Sequence, residues 1–486
     1  MGGFLMAVPV VLPFAFAALI GSKRYACKGC VNTIAGTAVI LNLIFLVLIL
    51  GMDFQKSIEI VRLNENLRIF LDIDRIGALF AVLASSLWLF TAFYSMGYMK
   101  HEEGQTRFFA FFTATLGVTS GIAFSGNLMT LYLFYELLTI VTYPLVIHTQ
   151  NEEAFESGRR YLAYSFGGAA LVLAGMALLY SISPNLDFAA GNMAYAPEDR
   201  ATLLYAFMML FIGFGVKAAV VPLHSWLPSA MVAPTPVSSL LHAVAVVKSG
   251  VFSIIRVVFF IFGADAVRDI NGQIYAGAFV AVTILMGSLL AMTHDNLKKR
   301  LAYSTISQLG YILLGVFMLN EKALEGGLLH LVNHALIKIV LFFCAGAIYV
   351  NTHKKKLSEL KGIGKSMPVT MTCFSIAAVS LIGIPPTSGF VSKWYLAIGS
   401  IGAGRVWFAV VLLLSAVLTA AYLLPIIIAA FFSSDECDSG STLVKKEAEG
   451  KMLAPIVMLT AVIVLTGIFP SIVLGFIERI VSDISF

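Results

Sequence analysis

The sequence predicts an all-α integral membrane protein with about fourteen transmembrane helices, and three observations predict it. Of 486 residues, 59% are hydrophobic and only 12% charged, about half the charged share of a soluble protein. The mean hydropathy is +0.91. The apolar residues come in continuous runs of about 20, enough to cross a hydrocarbon core about 30 Å thick. They do not alternate with period two, as the strands of a barrel would.

Measured against that length, the spans fall at 3–21, 31–51, 77–98, 108–125, 127–148, 161–181, 202–221, 236–262, 274–293, 301–319, 325–350, 368–399, 406–432 and 452–476. The apolar N-terminus reads as the first span, since no small-residue cleavage site leads from it into a soluble chain. Loops after odd-numbered spans carry eighteen Lys and Arg, among them Lys23, Arg24, Lys298, Lys354, Lys355, Lys445 and Lys446; loops after even-numbered spans carry eight, Lys56 included. The positive-inside rule therefore predicts cytoplasmic odd loops and both termini outside, in a multi-pass protein of the cell (plasma) membrane. A net charge of +5 on so long a chain implies no nucleic-acid partner.

Cysteines are few. Cys27 and Cys30 form a lone CxxC, Cys344 and Cys373 sit in apolar spans, and Cys437 lies in a polar loop. A zinc or iron–sulfur site needs more ligands than these, so all five read as structural or incidental. No cofactor is expected.

The chemistry must lie in the charges inside the spans. Glu136 is the one acid placed at mid-membrane depth, in LYLFYELLTIVTYPL. Lys217 sits late in the seventh span, Lys248 centrally in the eighth, Lys338 in LLHLVNHALIKIVLFF and Lys393 in GIPPTSGFVSKWYL. A charge at a helix centre costs roughly 2.5–3.5 kcal/mol on insertion scales, so five cost on the order of 12–18 kcal/mol. That equals the whole stability of a typical protein. Such groups must pair, face water, or be neutral part of the time. Arg256 lies toward a span end and is expected to snorkel to the headgroups.

His330, His334 and Lys338 follow one another at intervals of four, which makes one slowly drifting stripe on a helix. Three titratable groups on one stripe suggest a proton relay, with imidazole as the group that titrates near neutrality. A metal there would need ligands from other helices. His224 and His242 fit equally well as partners of carbonyls freed by nearby prolines.

Two spans are interrupted. Pro222, Pro228, Pro234 and Pro236 follow Lys217, and Pro385 and Pro386 precede Lys393. Proline removes a backbone donor, so a break at membrane depth is tolerated only beside protein or water. Matched breaks in two halves mark inverted-repeat transporters. The spacing suggests three N-terminal helices in 1–107, a five-helix repeat in 108–262, a second in 274–432 and a C-terminal helix in 452–486, with Lys217 and Lys393 as counterparts.

At these segments the sequence resembles the antiporter-like subunits shared by respiratory complex I, multisubunit Mrp-type sodium/proton antiporters and membrane-bound energy-converting hydrogenases. The matching stretches are FYELLT, GFGVKAAVVPLHSWLPSAMVAPTPVSSLLHA, HDNLKKRLAYSTISQLGY, LLHLVNHALIKIVLFF and GIPPTSGFVSKWY. The resemblance implies a fourteen-helix core with two inverted five-helix repeats. It also implies roles: Glu136 as the acid of the fifth helix, Lys217 as its partner on the broken seventh, Lys248 as the central relay lysine, His330, His334 and Lys338 as the eleventh-helix relay, and Lys393 as the terminal lysine on the broken twelfth. Some relatives carry glutamate at that last position. Lys298 matches a family signature whose expected role is structural. The chain ends soon after its fourteenth span, which suggests the D-type Mrp subunit or a middle-sized equivalent.

The physical logic of the expected activity is simple. A nearby carboxylate stabilises a buried ammonium, and its withdrawal releases the proton. With no nucleotide loop, redox ligand set or nucleophile triad in the sequence, the energy must come from elsewhere. The expectation is therefore a proton-translocating subunit, with sodium as the alternative ion. Its partners are the lipid bilayer and other membrane subunits of an antiporter, dehydrogenase or hydrogenase complex. The rivals are a stand-alone secondary cation/proton antiporter and a quinone- or lipid-binding scaffold without transport.

Overall fold

The computed structural model describes residues 2–22, 27–51, 57–64, 67–189, 193, 195–432 and 447–486. Lys23, Arg24, Lys56, Lys445, Lys446 and Cys437 lie outside the described residues. Cys27 and Cys30 are joined by a disulfide.

The chain opens with α1 (Gly2–Gly21) and α2 (Lys28–Gly51), then a hairpin of β1 (Ser57–Arg62) and β2 (Arg68–Asp72). Next come α3 (Arg75–Tyr98), α4 (Gln105–Ala123), α5 (Leu128–Val146), α6 (Glu152–Ile182) and α7 (Arg200–Lys217). Short α8 (Trp226–Ser229) leads to α9 (Thr235–Ala243) and α10 (Val246–Arg256), the latter continued by a π-helical turn over Val257–Phe262. After α11 (Ala264–Asp269) follow α12 (Gly272–Thr293), α13 (Leu297–Phe317) and α14 (Glu321–Thr352). The last third holds α15 (Ile363–Ser366), α16 (Pro368–Ile382), α17 (Ser388–Gly402), α18 (Val406–Phe432), α19 (Gly450–Ile468) and α20 (Ser471–Val481).

Small polar residues set the helix starts. Asp74, Asn127, Asn151, Asn296 and Asn320 each accept a backbone N–H of the first turn, for α3, α5, α6, α13 and α14, satisfying donors that have no partner within the helix. Among the described residues, ten helical segments are long and apolar enough to cross a membrane, and two shorter apolar ones lie at Leu5–Gly21 and Pro368–Ile382. The predicted spans 108–125 and 301–319 fall on α4 and α13, which are more polar and largely buried.

The molecule is apolar outside, and its largely apolar interior also carries buried polar and charged side chains. Val410, Leu413 and Val417 of α18 and Ile40, Ile44, Val47 and Leu48 of α2 are exposed along helical stripes, as lipid-facing surfaces require. At the centre stands α14, buried continuously from Ala323 to Ile348. Around it pack α3, α9, α13, α16, α17, α19 and α20.

Four features depart from the sequence reading. The span expected at 236–262 breaks at Val244–Ala245 into α9 and α10; no proline or glycine marks that place. The span expected at 452–476 stops at Ile468, and after Pro470 the chain restarts as α20. The β hairpin at 57–72 was not anticipated. Arg256 does not snorkel: it is 1% exposed and forks onto the Asp74 carboxylate, with Nη2 to Oδ1 at 2.7 Å. The cap of α3 supplies a nearer counter-charge than the headgroups.

Candidate functional site

Lys217 is the last residue of α7 and fully buried. Its Nζ donates to the backbone carbonyl of Tyr135 on α5 and lies 3.4 Å from the centre of the Tyr135 ring. Glu136, the next residue along α5, is half-buried and within electrostatic reach of Lys217. The two do not form an ion pair among the described residues, and Glu136 Oε1 has no hydrogen-bond partner. The ammonium therefore sits on a carbonyl and a π face beside, not on, its carboxylate.

The helix stops at Lys217 because Ala219 turns to φ 56°, a conformation a β-carbon disfavours. The freed backbone groups are satisfied locally. The Val216 carbonyl accepts Trp226 Nε1 at 2.8 Å, and the Val221 N–H donates to Thr283 Oγ1 at 3.0 Å. The α10 helix reaches this end through Gly250, where a Cβ would lie 2.5 Å from Ala218 N and 2.9 Å from Lys217 C. Lys248, two residues earlier, is fully buried, and its Nζ donates across to the Leu331 carbonyl of α14.

On α14 the stripe is realised. His330, His334 and Lys338 are all fully buried, and the two imidazole centroids stand 5.9 Å apart. His330 is held on both sides, Nδ1 to Ser392 Oγ at 2.9 Å and Nε2 to Gln308 Oε1 at 3.1 Å. Among the described residues neither ring nitrogen of His334 has a hydrogen-bond partner; the ring lies within electrostatic reach of Lys248, Lys338, His330 and His242. Lys338 Nζ donates to the Leu301 carbonyl at 2.9 Å and to Ser304 Oγ, both on α13.

Lys393, half-buried on α17, donates to the Leu381 and Ile382 carbonyls at 2.7 and 2.9 Å. Those are carbonyls that the end of α16 leaves without helical partners. Its ammonium also lies 5.0 Å from the Tyr311 ring centre, and Tyr311 stacks on His330 at 5.3 Å. Thus Lys248, His330, His334, Lys338 and Lys393 form one connected group, and Glu136 and Lys217 a second. Among the described residues no hydrogen bond or ion pair joins Lys217 to Lys248. Nor do any three His, Cys, Asp or Glu side chains gather as a metal would need.

Sequence reasoning offered His242 a carbonyl freed by a nearby proline, and the structure shows no such bond among the described residues. Neither of its ring nitrogens has a hydrogen-bond partner among the described residues; the ring lies 4.8 Å from the Phe342 ring and within electrostatic reach of Lys338 and Lys298. The signal was present in α9 itself, where Thr235, Ser238, Ser239 and His242 share one face. That face begins at a polar pocket of about 370 Å³ holding Tyr98, Glu102, Lys298 and Lys355. Thr235 Oγ1 donates to Tyr98 Oη at 3.3 Å, and Lys298 Nζ to the Ala233 carbonyl at 2.7 Å. Burial pushes the Glu102 carboxyl upward, with Lys298 opposing.

Residues 125–419, which contain all seven predicted relay residues, match the NADH:quinone oxidoreductase/Mrp antiporter transmembrane family. The chain belongs to this family. Residues 63–109 match the N-terminal region of complex I chain 5. Subunit N of the NADH-quinone oxidoreductase of Desulforudis audaxviator is 34% identical over 402 residues, covering 80% of this chain and 78% of that one. The Na(+)/H(+) antiporter subunit A1 of Staphylococcus haemolyticus is 30% identical over 97% of this chain and 58% of its own length. Chain 5 of the Synechocystis NAD(P)H-quinone oxidoreductase is 34% identical; this chain spans 48% of its length. Chains in the structures of an archaeal membrane-bound sulfane sulfur reductase and of the Mrp complex of Dietzia superpose with TM-scores of 0.89 and 0.87 at 22% identity, over 99% of this chain and 97% of each of theirs. Those two likenesses establish the family's fold here.

Proposed function

We propose that the chain is a proton-translocating, antiporter-like subunit of a multisubunit membrane complex, with sodium as the alternative ion. The observation that carries this reading is the charge count of the buried groups. Four lysines and three histidines lie inside the bundle with one carboxylate, Glu136, among the relay residues. Four ammonium groups facing one carboxylate cannot all stay charged at membrane depth, so the protons must be handed on.

Glu136, within electrostatic reach, favours the charged form of Lys217; when the two separate the ammonium loses that support and releases its proton, which passes through Lys248 to His334 and Lys338, then by His330 to Lys393. The Glu102–Lys298 pocket and the α9 stripe ending in His242 form the inlet from the face rich in Lys and Arg. That face is cytoplasmic by the positive-inside rule, and both termini lie outside, in the cell membrane. Fourteen crossings arranged as three N-terminal helices (1–107), two inverted repeats (108–262 and 274–432) and a C-terminal helix (452–486) accommodate the ten long apolar segments, the two shorter ones, and α4 and α13.

The test is transport by the complex in proteoliposomes. Lys217→Ala and Glu136→Ala are each expected to abolish it while the chain still inserts and assembles. Unimpaired transport by both variants ends the reading.

A further inference from the structure

One large feature takes no part in this relay. Between α3, α14 and α19, and beneath α20, runs a groove of about 410 Å³. Leu79, Val82, Leu83, Leu87 and Phe90 make its α3 wall, at spacings that keep to one helix face. From the first to the last is about 16 Å at 1.5 Å per residue, roughly half the hydrocarbon thickness. Val332 and Leu336 of α14 form the floor. The two hydroxyls present are Ser86 and Thr466, and Thr466 Oγ1 is turned back onto the Val462 carbonyl at 2.8 Å. An occupant meets apolar contact and little else.

At the mouth stand Val473 and Phe476 of α20, and one turn further along the same face comes Arg479, exposed, its guanidinium without a partner among the described residues. Its neighbour Arg75 is engaged by Asp483. Size narrows the choice of occupant. The groove's length, about half the hydrocarbon thickness, is that of one leaflet's acyl chain, and its lining offers a tail only apolar contact.

We propose that this groove is a site for one anionic phospholipid, with an acyl chain between α3, α14 and α19 and its phosphate on Arg479. Hydrocarbon contact holds the tail, and the free guanidinium selects the headgroup. Val332 and Leu336 are each offset by two residues from His330 and His334, about 200° around α14. The lipid therefore packs the back of the helix whose front carries the histidines. Lipid binding does not depend on the proposed relay.

The parent complex is reconstituted in nanodiscs of equal parts phosphatidylglycerol and phosphatidylcholine, extracted in mild detergent, and weighed by native mass spectrometry. Leu87→Trp, which fills the groove, is expected to carry one phosphatidylglycerol fewer than wild type. Arg479→Gln keeps a phospholipid but takes the two classes without preference. Should Leu87→Trp fail to assemble, Val462→Phe fills the groove from α19 and must show the same loss. Unchanged lipid content in the filled variants, an unchanged headgroup preference in Arg479→Gln, or a quinone or another subunit cross-linked to Phe476 overturns the proposal.

Discussion

The two broken spans solve the same problem in opposite ways. In the first, Lys217 comes before the break and turns away from it, onto the carbonyl and ring of Tyr135; the freed backbone is satisfied by Trp226 and Thr283. In the second, Lys393 comes after the break, and its own ammonium satisfies the freed carbonyls of Leu381 and Ile382. The first lysine is thus independent of its break, whereas the second is part of its repair. A lysine that caps a helix end cannot give up its proton without weakening that cap, which couples charge to backbone at one end of the proposed relay only.

Backbone contacts give the sharpest test of this difference. A Cβ on Gly250 would meet the backbone at the end of α7, and one on Gly467 of α19 would meet Pro386 O, with Ser388 N at 2.6 Å. Gly250→Val is expected to show the largest loss, because it parts α10 from α7 and moves Lys248 away from Lys217. Gly467→Val should come next, displacing the 386–388 backbone and with it Lys393; each carries about 1–3 kcal/mol of overpacking strain. Gly475→Ala, with nothing within 4 Å, is the control and should transport like wild type. Equal behaviour of all three variants in proteoliposomes would show that neither break is held by its neighbours.

Trp226→Phe keeps an aromatic ring but removes the indole donor from the Val216 carbonyl, which retains the Ala219 N–H at 3.0 Å, a cost of about 0.5–1.5 kcal/mol. It should lower thermal stability more than it lowers transport, and a larger effect on transport would place Trp226 in the relay. The smallest effects belong to Tyr135. Tyr135→Phe retains the π face under Lys217 and loses one long contact to the Gly213 carbonyl, 3.4 Å, so transport should stay near wild type. Tyr135→Leu removes the ring as well and forfeits about 0.5–2 kcal/mol of cation–π attraction, with slower transport expected. If the two variants behave alike, the ring does not hold the ammonium.

Much of this was legible in sequence because insertion into lipid leaves a plain record. Apolar runs marked the helices, prolines marked two breaks, and each buried lysine announced itself by its cost. The break at Val244–Ala245 carries no such mark, since tertiary packing rather than residue chemistry parts α9 from α10. Arg256 was misplaced because its partner, Asp74, lies 182 residues away; spacing along the chain says nothing about such a pair. His242 went astray for the opposite reason: prolines nearby offered it a carbonyl that the folded chain does not bring to it among the described residues. Pro470, by contrast, was a visible stop inside a span drawn too long.

The hairpin at 57–72 has a mechanical meaning. Its second strand is fastened to the start of α5 twice, by Asn127 Nδ2 to the Arg68 carbonyl and by the Phe70 N–H to Thr130 Oγ1 at 3.1 Å. The carboxylate two turns further in is therefore anchored in height, and α5 cannot slide to make or break contact with its lysine. In the proposed mechanism the carboxylate is thus the stationary partner, and any change in its separation from Lys217 comes from the lysine side.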